Sequence, residues 1–186
     1  KPVILSTGAS NIKEIRAALK IIKKKVRKII LMHCILNYPT KNANANLNMI
    51  QSLKKEFPNC VVGYSDHTLP SRDMQNLITS FFLGAKVIEK HITLDKSSSG
   101  PDHAASMEPN EFVRFIEKIR EVELALGDGI KRPSKSEQKN INVVRRSIVA
   151  SKKIYQGELF TQDNITTKRP GTGISPIHWD NIIGQV

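Results

Sequence analysis

Four short apolar runs, each followed by a longer amphipathic stretch, alternate along the first two thirds of the chain. The runs begin at Val3, Ile29, Val61 and Val87, at intervals of 26, 32 and 26 residues. Continuous apolar runs of this length are typical of strands that are buried on both faces, and apolar residues at helical spacing predict helices. The helices are predicted over residues 12–22 (with Ser10 as the N-cap), 47–57, 74–82 and 109–127.

Four strand–helix units of this length suit either a (β/α) barrel or a doubly wound sheet, and both are α/β folds. Four units are half of a barrel, and the chain begins on a strand. We therefore expect residues 1–127 to be the C-terminal half of a (β/α)8 TIM barrel that belongs to a longer protein. A half-barrel has two open sheet edges, so we expect it to be unstable alone.

The composition changes after Gly127. Residues 128–142 are polar and lack an apolar period, which predicts a linker. Residues 143–186 contain three short β-type segments that predict a small β-rich second domain, which we expect the chain end to truncate; the segments are Ser147–Ala150, Gly157–Phe160 and Ile165–Lys168.

The net charge of +12 raises the possibility of nucleic-acid binding, but its distribution argues against it. The densest basic cluster, residues 23–28, follows a predicted helix and contains no aromatic residue on which bases could stack. No apolar run approaches the length of a membrane span, and the N-terminus lacks a signal-peptide pattern. Cys34 and Cys60 form no disulfide or metal-binding motif, so we expect reduced thiols in a cytoplasmic protein.

Two predicted strands each lead to a histidine. His67 and His91 are 24 residues apart, which leaves room for one loop, one helix and one strand between them. Neighbouring parallel strands end at the same sheet edge, and ligands bind at that edge in α/β folds. Since imidazole is a good ligand for divalent first-row metals, the pair is a candidate metal site. Taken singly, each histidine has a structural reading as a hydrogen-bonded residue at a strand end, and Asp66 as the cap of a turn.

Short motifs at consistent spacing resemble the sialic acid synthases, which include synthases of N-acetylneuraminic, legionaminic and pseudaminic acids. The motifs follow the four predicted strands in order: STG, HC…NYPT, GYSDHT and EKHIT…GPDH. The second domain resembles the antifreeze-like (SAF) domain at the C-terminus of that family, in the motifs RRSIVA, KKIYQGE and TTKRPGTG. The resemblance covers essentially the whole chain.

This resemblance implies a metal-dependent condensation of phosphoenolpyruvate with an N-acetylmannosamine-type amino sugar, which yields a nonulosonic acid and phosphate. It implies a divalent metal, usually Mn²⁺ with Mg²⁺ or Co²⁺ as alternatives, held by His67 and His91. The two histidines are then also the predicted catalytic residues. The family further implies a domain-swapped homodimer, in which Arg169 of one subunit enters the active site of the other.

The resemblance also assigns substrate-binding residues by position. Ser6 and Ser65 match serines that contact phosphoenolpyruvate, while Tyr38 and Asp102 match residues near the sugar. Some members have an asparagine ligand two residues before the tyrosine, where this chain has Leu36. Asn37 lies one place later and is the candidate for that role.

Two other functions are compatible with the sequence. The first is another phosphoenolpyruvate-using sugar-acid synthase or aldolase on the same barrel, which should lack the antifreeze-like domain. The second is a non-catalytic remnant in which that domain binds carbohydrate; the intact histidine pair argues against it. The sequence does not decide which amino sugar is used or whether it is 6-phosphorylated.

Overall fold

A four-stranded parallel sheet forms the centre of the first of two structural units in the computed structural model, which describes residues 1–186. This unit, Lys1–Gly127, has its strands in the order β1 (Val3–Ser6), β2 (Ile29–His33), β3 (Val61–Asp66) and β4 (Val87–Lys90). A helix follows each strand: α1 (Ile12–Ile22), α2 (Met49–Glu56), α3 (Gln75–Phe82) and α4 (Pro109–Leu126). Four such units with sequential neighbouring strands make half of a (β/α)8 barrel, which confirms the predicted fold class. No helix in the structure is both long enough and apolar enough to span a membrane.

The two faces of the sheet differ because side chains alternate along each strand. One face, here called the helix face, packs residues such as Leu31 and Tyr64 against Ile15 and Ile50 of the helices in one apolar core. The other, here called the open face, carries Ile4, Ser6, Ser65 and Glu89. Ile4 is 55% exposed, so β1 is not buried on both faces in this chain as its apolar run predicts.

Local capping groups fix where the helices begin and end. Asn11, rather than the predicted Ser10, is the N-cap of α1, because its side chain accepts hydrogen bonds from the backbone of Lys13 and Glu14. Pro109 occupies the first turn of α4, and Gly127 ends this helix with a φ of +58°, a backbone conformation that favours glycine.

The second unit, Asp128–Val186, contains an antiparallel pair of strands, β5 (Ser147–Ala150) and β6 (Ile165–Lys168), with helices α5 (Lys135–Val144) and α6 (Trp179–Ile182). Helix α5 overlaps residues 128–142, where the polar sequence predicts a linker without regular structure. A capping box explains it: Ser134 accepts a hydrogen bond from the Glu137 backbone, and the Glu137 side chain accepts one from the Ser134 backbone.

The strand predicted over Gly157–Phe160 is absent. Phe160 instead exchanges two backbone hydrogen bonds of 2.8 Å with the C-terminal segment, donating to Gln185 and accepting from Gly184. These two hydrogen bonds satisfy the backbone groups of Phe160, but the pairing does not continue to its neighbours as it would in a β-strand.

Candidate functional site

The two candidate metal ligands lie side by side just beyond the ends of β3 and β4. The two strands pair in parallel with Asp66 opposite Lys90. His67 follows Asp66 in the sequence, and His91 follows Lys90. Their ring centroids are 5.4 Å apart. The predicted placement at one sheet edge is therefore confirmed, although β4 ends one residue before His91; the role of the pair as metal ligands stays a prediction.

A backbone contact orients the His67 ring. Its Nδ1 lies 2.7 Å from the carbonyl oxygen of Ile35. Because a carbonyl oxygen only accepts, Nδ1 carries a hydrogen, and in a neutral ring the lone pair is then on Nε2. A second partner that fixes the ring and its tautomer is the usual arrangement for a metal-binding histidine.

Ser65 and Glu89 form the open-face wall of the site. The Ser65 hydroxyl donates to Glu89 Oε1 at 2.6 Å and lies 3.2 Å from His67 Nε2. Since the hydroxyl has one proton and directs it to the carboxylate, the His67 lone pair is not used by this contact. Glu89 is not among the residues that the sequence predicts for the site; it is exposed and accepts a hydrogen bond from Ser65.

Two further predicted residues contact the histidine pair. The ring of Tyr38 lies 4.1 Å from that of His67 and 5.7 Å from that of His91, measured between centroids. Asp102 Oδ2 is 3.8 Å from His91 Nδ1. Partial burial, with the nearby Cys34, Asp102 and Glu89, raises the pKa of Tyr38.

Three predicted residues are not part of this cluster. Ser6 ends β1, two strands away from Ser65. Asn37 is exposed, and its hydrogen bonds are made by its backbone, which donates to Ile35 and accepts from Thr40. Arg169 belongs to the second unit, where it follows β6 and is exposed.

A buried polar network behind the site was not predicted as functional. On the helix face, Asp66 accepts hydrogen bonds from the Tyr64 hydroxyl, from the backbone and hydroxyl of Thr68, and from Lys90. The Lys90 and Asp66 side chains are 0% and 3% exposed. Burial lowers the pKa of Lys90, an effect that Asp66 opposes, and burial together with Asp66 raises the pKa of Tyr64. Asp66 thus caps its turn, which is the structural role that the sequence suggested, and it also pairs with a buried lysine.

His33 has a structural role. It ends β2 on the helix face, is 2% exposed, and its Nε2 lies 2.9 Å from the carbonyl oxygen of Ala45. Burial lowers the pKa of its imidazole, which keeps the ring neutral. His33 stacks on Tyr64 rather than on either site histidine.

The chain does not by itself present a complete set of metal ligands. No group of three or more histidine, cysteine, aspartate and glutamate side chains is arranged to hold a metal ion. A cavity of about 600 Å³ lies between α1, α2 and the segments that follow β1 and β2; its lining includes Ile35, whose carbonyl contacts His67, but none of the predicted site residues. A metal at the histidine pair would therefore need ligands from water, substrate or other residues.

Comparisons with known proteins match nearly the whole chain. Residues 1–131 match the model of the NeuB family, and residues 145–186 match that of the SAF domain. The N,N'-diacetyllegionaminic acid synthase of Campylobacter jejuni is 49% identical over 100% of this chain and 55% of its own length. The enzyme of the same name from Legionella pneumophila is 40% identical over 99% of this chain and 52% of its own length.

A solved structure gives the same picture. The crystal structure of the N-acetylneuraminic acid (sialic acid) synthetase from Leptospira borgpetersenii, in complex with citrate, has a TM-score of 0.64 and 37% identity, over 75% of this chain and 47% of that one. The chain thus spans about half the length of the relatives that it matches.

Proposed function

The chain belongs to the NeuB family, and from this we propose that the protein condenses phosphoenolpyruvate with an acetylated amino sugar to give a nonulosonic acid and phosphate. The observation that carries the proposal is the pair of histidine rings, 5.4 Å apart at the carboxyl ends of two parallel strands, with Tyr38 against both. The relatives from Campylobacter and Legionella are both named for N,N'-diacetyllegionaminic acid. The diacetylated precursor of that product is therefore the first sugar to test, and N-acetylmannosamine is the second.

His67 and His91 would hold a divalent metal, with Mn²⁺ the first candidate and Mg²⁺ and Co²⁺ the alternatives. The donor chemistry fits, because the Ile35 carbonyl fixes the His67 proton on Nδ1 and leaves Nε2 as the ligand atom. When bound, such a metal supplies a Lewis acid that polarises the aldehyde oxygen of the open-chain sugar.

The protein's own side chains would bind and orient the two substrates. Ser65, beside both His67 and Glu89, offers a hydroxyl to phosphoenolpyruvate, and Ser6 offers a second hydroxyl from β1. Tyr38 and Asp102 flank the histidine pair on the side formed by loops, which is where a sugar would enter. Holding the enol carbon and the aldehyde carbon in contact converts a bimolecular reaction into an effectively unimolecular one.

We also propose that the protein is a domain-swapped homodimer in which Arg169 acts on the site of the partner. The support is the family membership and the exposed position of Arg169 in the second unit. A guanidinium can bind sugar hydroxyls or an acyl oxygen through a planar fork that lysine cannot match. Helix α5 shortens the reach of the connecting segment, because a helix rises only about 1.5 Å per residue while an extended chain spans about 3.4 Å. Residues 128–142 then span about 35 Å rather than the ~50 Å of an extended linker.

Activity is best measured in a chimeric synthase, defined here as the Campylobacter jejuni relative with its matching segment replaced by residues 1–186. We expect the chimeric synthase to release one phosphate for each 2-keto acid formed, to lose activity in EDTA and to regain it with Mn²⁺. Failure to form the keto acid from any acetylated amino sugar, in a folded chimera, would refute the proposed reaction. Activity that persists in EDTA would refute the proposed metal dependence. A shorter-chain sugar as the preferred substrate would favour the alternative synthase, which the SAF match at residues 145–186 argues against.

A further inference from the structure

We propose that Lys90 is a positioning residue that holds both histidines of the candidate metal site in register, an inference that rests on the proposed function. Lys90 immediately precedes His91, and its side chain crosses to the neighbouring strand, where it contacts the chain on both sides of His67. One buried ammonium group thereby ties together the two backbone segments that present the imidazoles.

The contacts of the Lys90 ammonium group carry this inference. It donates to Asp66 Oδ2 at 2.9 Å, to the backbone carbonyl of Asp66 at 3.3 Å and to the backbone carbonyl of Thr68. Asp66 and Thr68 are the residues directly before and after His67. All three hydrogens of the ammonium group are therefore used, and two of them fix backbone rather than side-chain atoms.

Other hydrogen bonds hold the same turn. The His67 carbonyl accepts a hydrogen bond of 2.8 Å from the backbone of Thr40, and Asp66 Oδ1 accepts from the backbone of Thr68 at 3.0 Å. The His67 carbonyl is bound by Thr40, the residues before and after it are bound by Lys90, and its Nδ1 contacts the Ile35 carbonyl, so the His67 ring has little freedom to change position. His91 is covalently attached to Lys90, so a shift of Lys90 would move the His91 ring relative to the His67 ring.

Stability alone does not explain the buried ion pair between Lys90 and Asp66. Taking an ammonium and a carboxylate out of water costs several kcal/mol per ion, and neutral replacements of similar volume are often as stable. Both side chains are nearly inaccessible, on the face that packs its apolar residues against the helices. The fixed geometry of the backbone carbonyls around His67 is what a neutral pair would not reproduce.

The test separates positioning from stability by comparing a single and a double variant of the chimeric synthase. Lys90→Met leaves Asp66 buried without its partner, so we expect both the melting temperature and the Mn²⁺ affinity to fall. Asp66→Asn/Lys90→Met removes both charges; we expect the melting temperature to recover while the Mn²⁺ affinity stays at least about tenfold weaker than that of the unsubstituted chimera, as for other groups that orient metal ligands. Mn²⁺ binding is measured by electron paramagnetic resonance of the free ion, without substrates.

Lys96→Met is the matched control. Lys96 also pairs with a carboxylate, that of Glu111, in a partly buried salt bridge, but it contacts neither histidine segment. We expect this variant to lose stability with an unchanged Mn²⁺ affinity. If the double variant does not fold, Asp66→Asn alone decides: Lys90 can still donate to both carbonyls, so the loss of affinity should stay below the roughly tenfold expected when a group that orients a metal ligand is removed.

Three results would count against these ideas in distinguishable ways. If Mn²⁺ affinity recovers together with stability in the double variant, Lys90 serves the fold only and the inference is overturned. A tenfold loss of affinity in Asp66→Asn would overturn it as well, because the carboxylate rather than the carbonyl contacts would then set the geometry. If the unsubstituted chimera binds no Mn²⁺, the metal site of the proposed function fails first.

Discussion

The open face and the helix face of the four-stranded sheet both carry hydrogen-bonded polar side chains near its carboxyl edge, but the two groups differ in their access to solvent. On the helix face, the Tyr64 hydroxyl and the Lys90 ammonium group donate to Asp66, and the Asp66 and Lys90 side chains are at most 3% exposed. On the open face, the buried Ser65 hydroxyl donates to Glu89, which is exposed. A network that is closed to solvent cannot take up a ligand, whereas an exposed carboxylate and its hydroxyl partner can exchange one contact for another.

The largest effect is expected when one histidine of the pair is replaced. In the chimeric synthase, His67→Ala should lower the metal-dependent rate by at least about a hundredfold, because a Lewis acid contributes several kcal/mol to the transition state. The melting temperature should change little. The rate is measured as phosphate release over a Mn²⁺ titration, and His91→Ala should behave in the same way.

His33→Ala is the matched control on the helix face. His33 is buried against Tyr64 and Ala45, so its loss should lower stability without changing Mn²⁺ affinity. Full activity of His67→Ala at limiting metal, or an equal loss of Mn²⁺ affinity in His33→Ala, would show that the two faces do not divide the roles in this way.

Arg169 tests whether the open face is completed by a residue from another subunit. Arg169→Ala should lower the rate by about a hundredfold, the upper range for a hydrogen bond to a charged group. Mixing this variant with His67→Ala should restore activity, since one site of each mixed dimer then has both intact parts. Counting intact sites, the recovery should be at most about a quarter of the activity of the unsubstituted chimera under random exchange, and about a half in purified mixed dimers. Verified mixed dimers without recovery would mean that the arginine acts within its own chain.

Replacing Ser65 tests what a single hydroxyl on the open face contributes to substrate binding. Ser65→Ala should raise the KM for phosphoenolpyruvate by about tenfold to a hundredfold, since a hydrogen bond to a charged group contributes about 1.5–3 kcal/mol. The KM for the sugar should change much less, and Ser6→Ala should show the same preference. Initial rates with each substrate varied in turn provide the measurement.

Ser80→Ala is the control for Ser65. Ser80 is fully buried in α3 and donates to the Leu77 carbonyl, so its replacement should affect stability and neither KM. Equal increases in both KM values for Ser65→Ala would remove Ser65 from the phosphoenolpyruvate site.

The smallest expected effect concerns the salt bridge between Glu111 and Lys96. Burial alone would raise the pKa of Glu111, but hydrogen bonds from Lys96 and the Glu108 backbone, with the charges of Lys96 and Arg114, hold the pKa below its ordinary value. A lowered folded-state pKa means that the contribution to stability is present above the unfolded-state pKa and is lost as the pH falls through the folded-state pKa.

Glu111→Gln should therefore lower the free energy of unfolding at pH 7 by less than about 1 kcal/mol, because the pair is partly solvated. The difference from the unsubstituted chain should begin to shrink near about pH 4, the unfolded-state value for glutamate, and vanish only after the pH has fallen through the lower folded-state pKa of Glu111. Urea unfolding measured from pH 7 down to that acid range checks this. A difference that persists in acid would mean that the substituted amide disturbs packing rather than charge.

The sequence alone determined the succession of four strand–helix units and the meeting of His67 with His91. Both follow from local periodicity: an apolar run and an amphipathic stretch each specify an element, and a spacing of 24 residues accommodates one complete unit. The parallel order of the strands then brings their carboxyl ends to one edge. The placement of Tyr38 and Asp102 near the pair agrees with the family motifs in which they lie.

Only the tertiary structure decided which side chains are partners. Register places Asp66 opposite Lys90, and alternation along β4 sends Glu89 and Lys90 to opposite faces, so that one charge binds Ser65 and the other is buried. In the second unit, Phe160 pairs with Gln185, 25 residues away, instead of forming the strand its neighbours predict. The capping box at Ser134 was readable in advance, since it is local. Contacts between strands and segments are not local, because they depend on register and on which face of the sheet is covered.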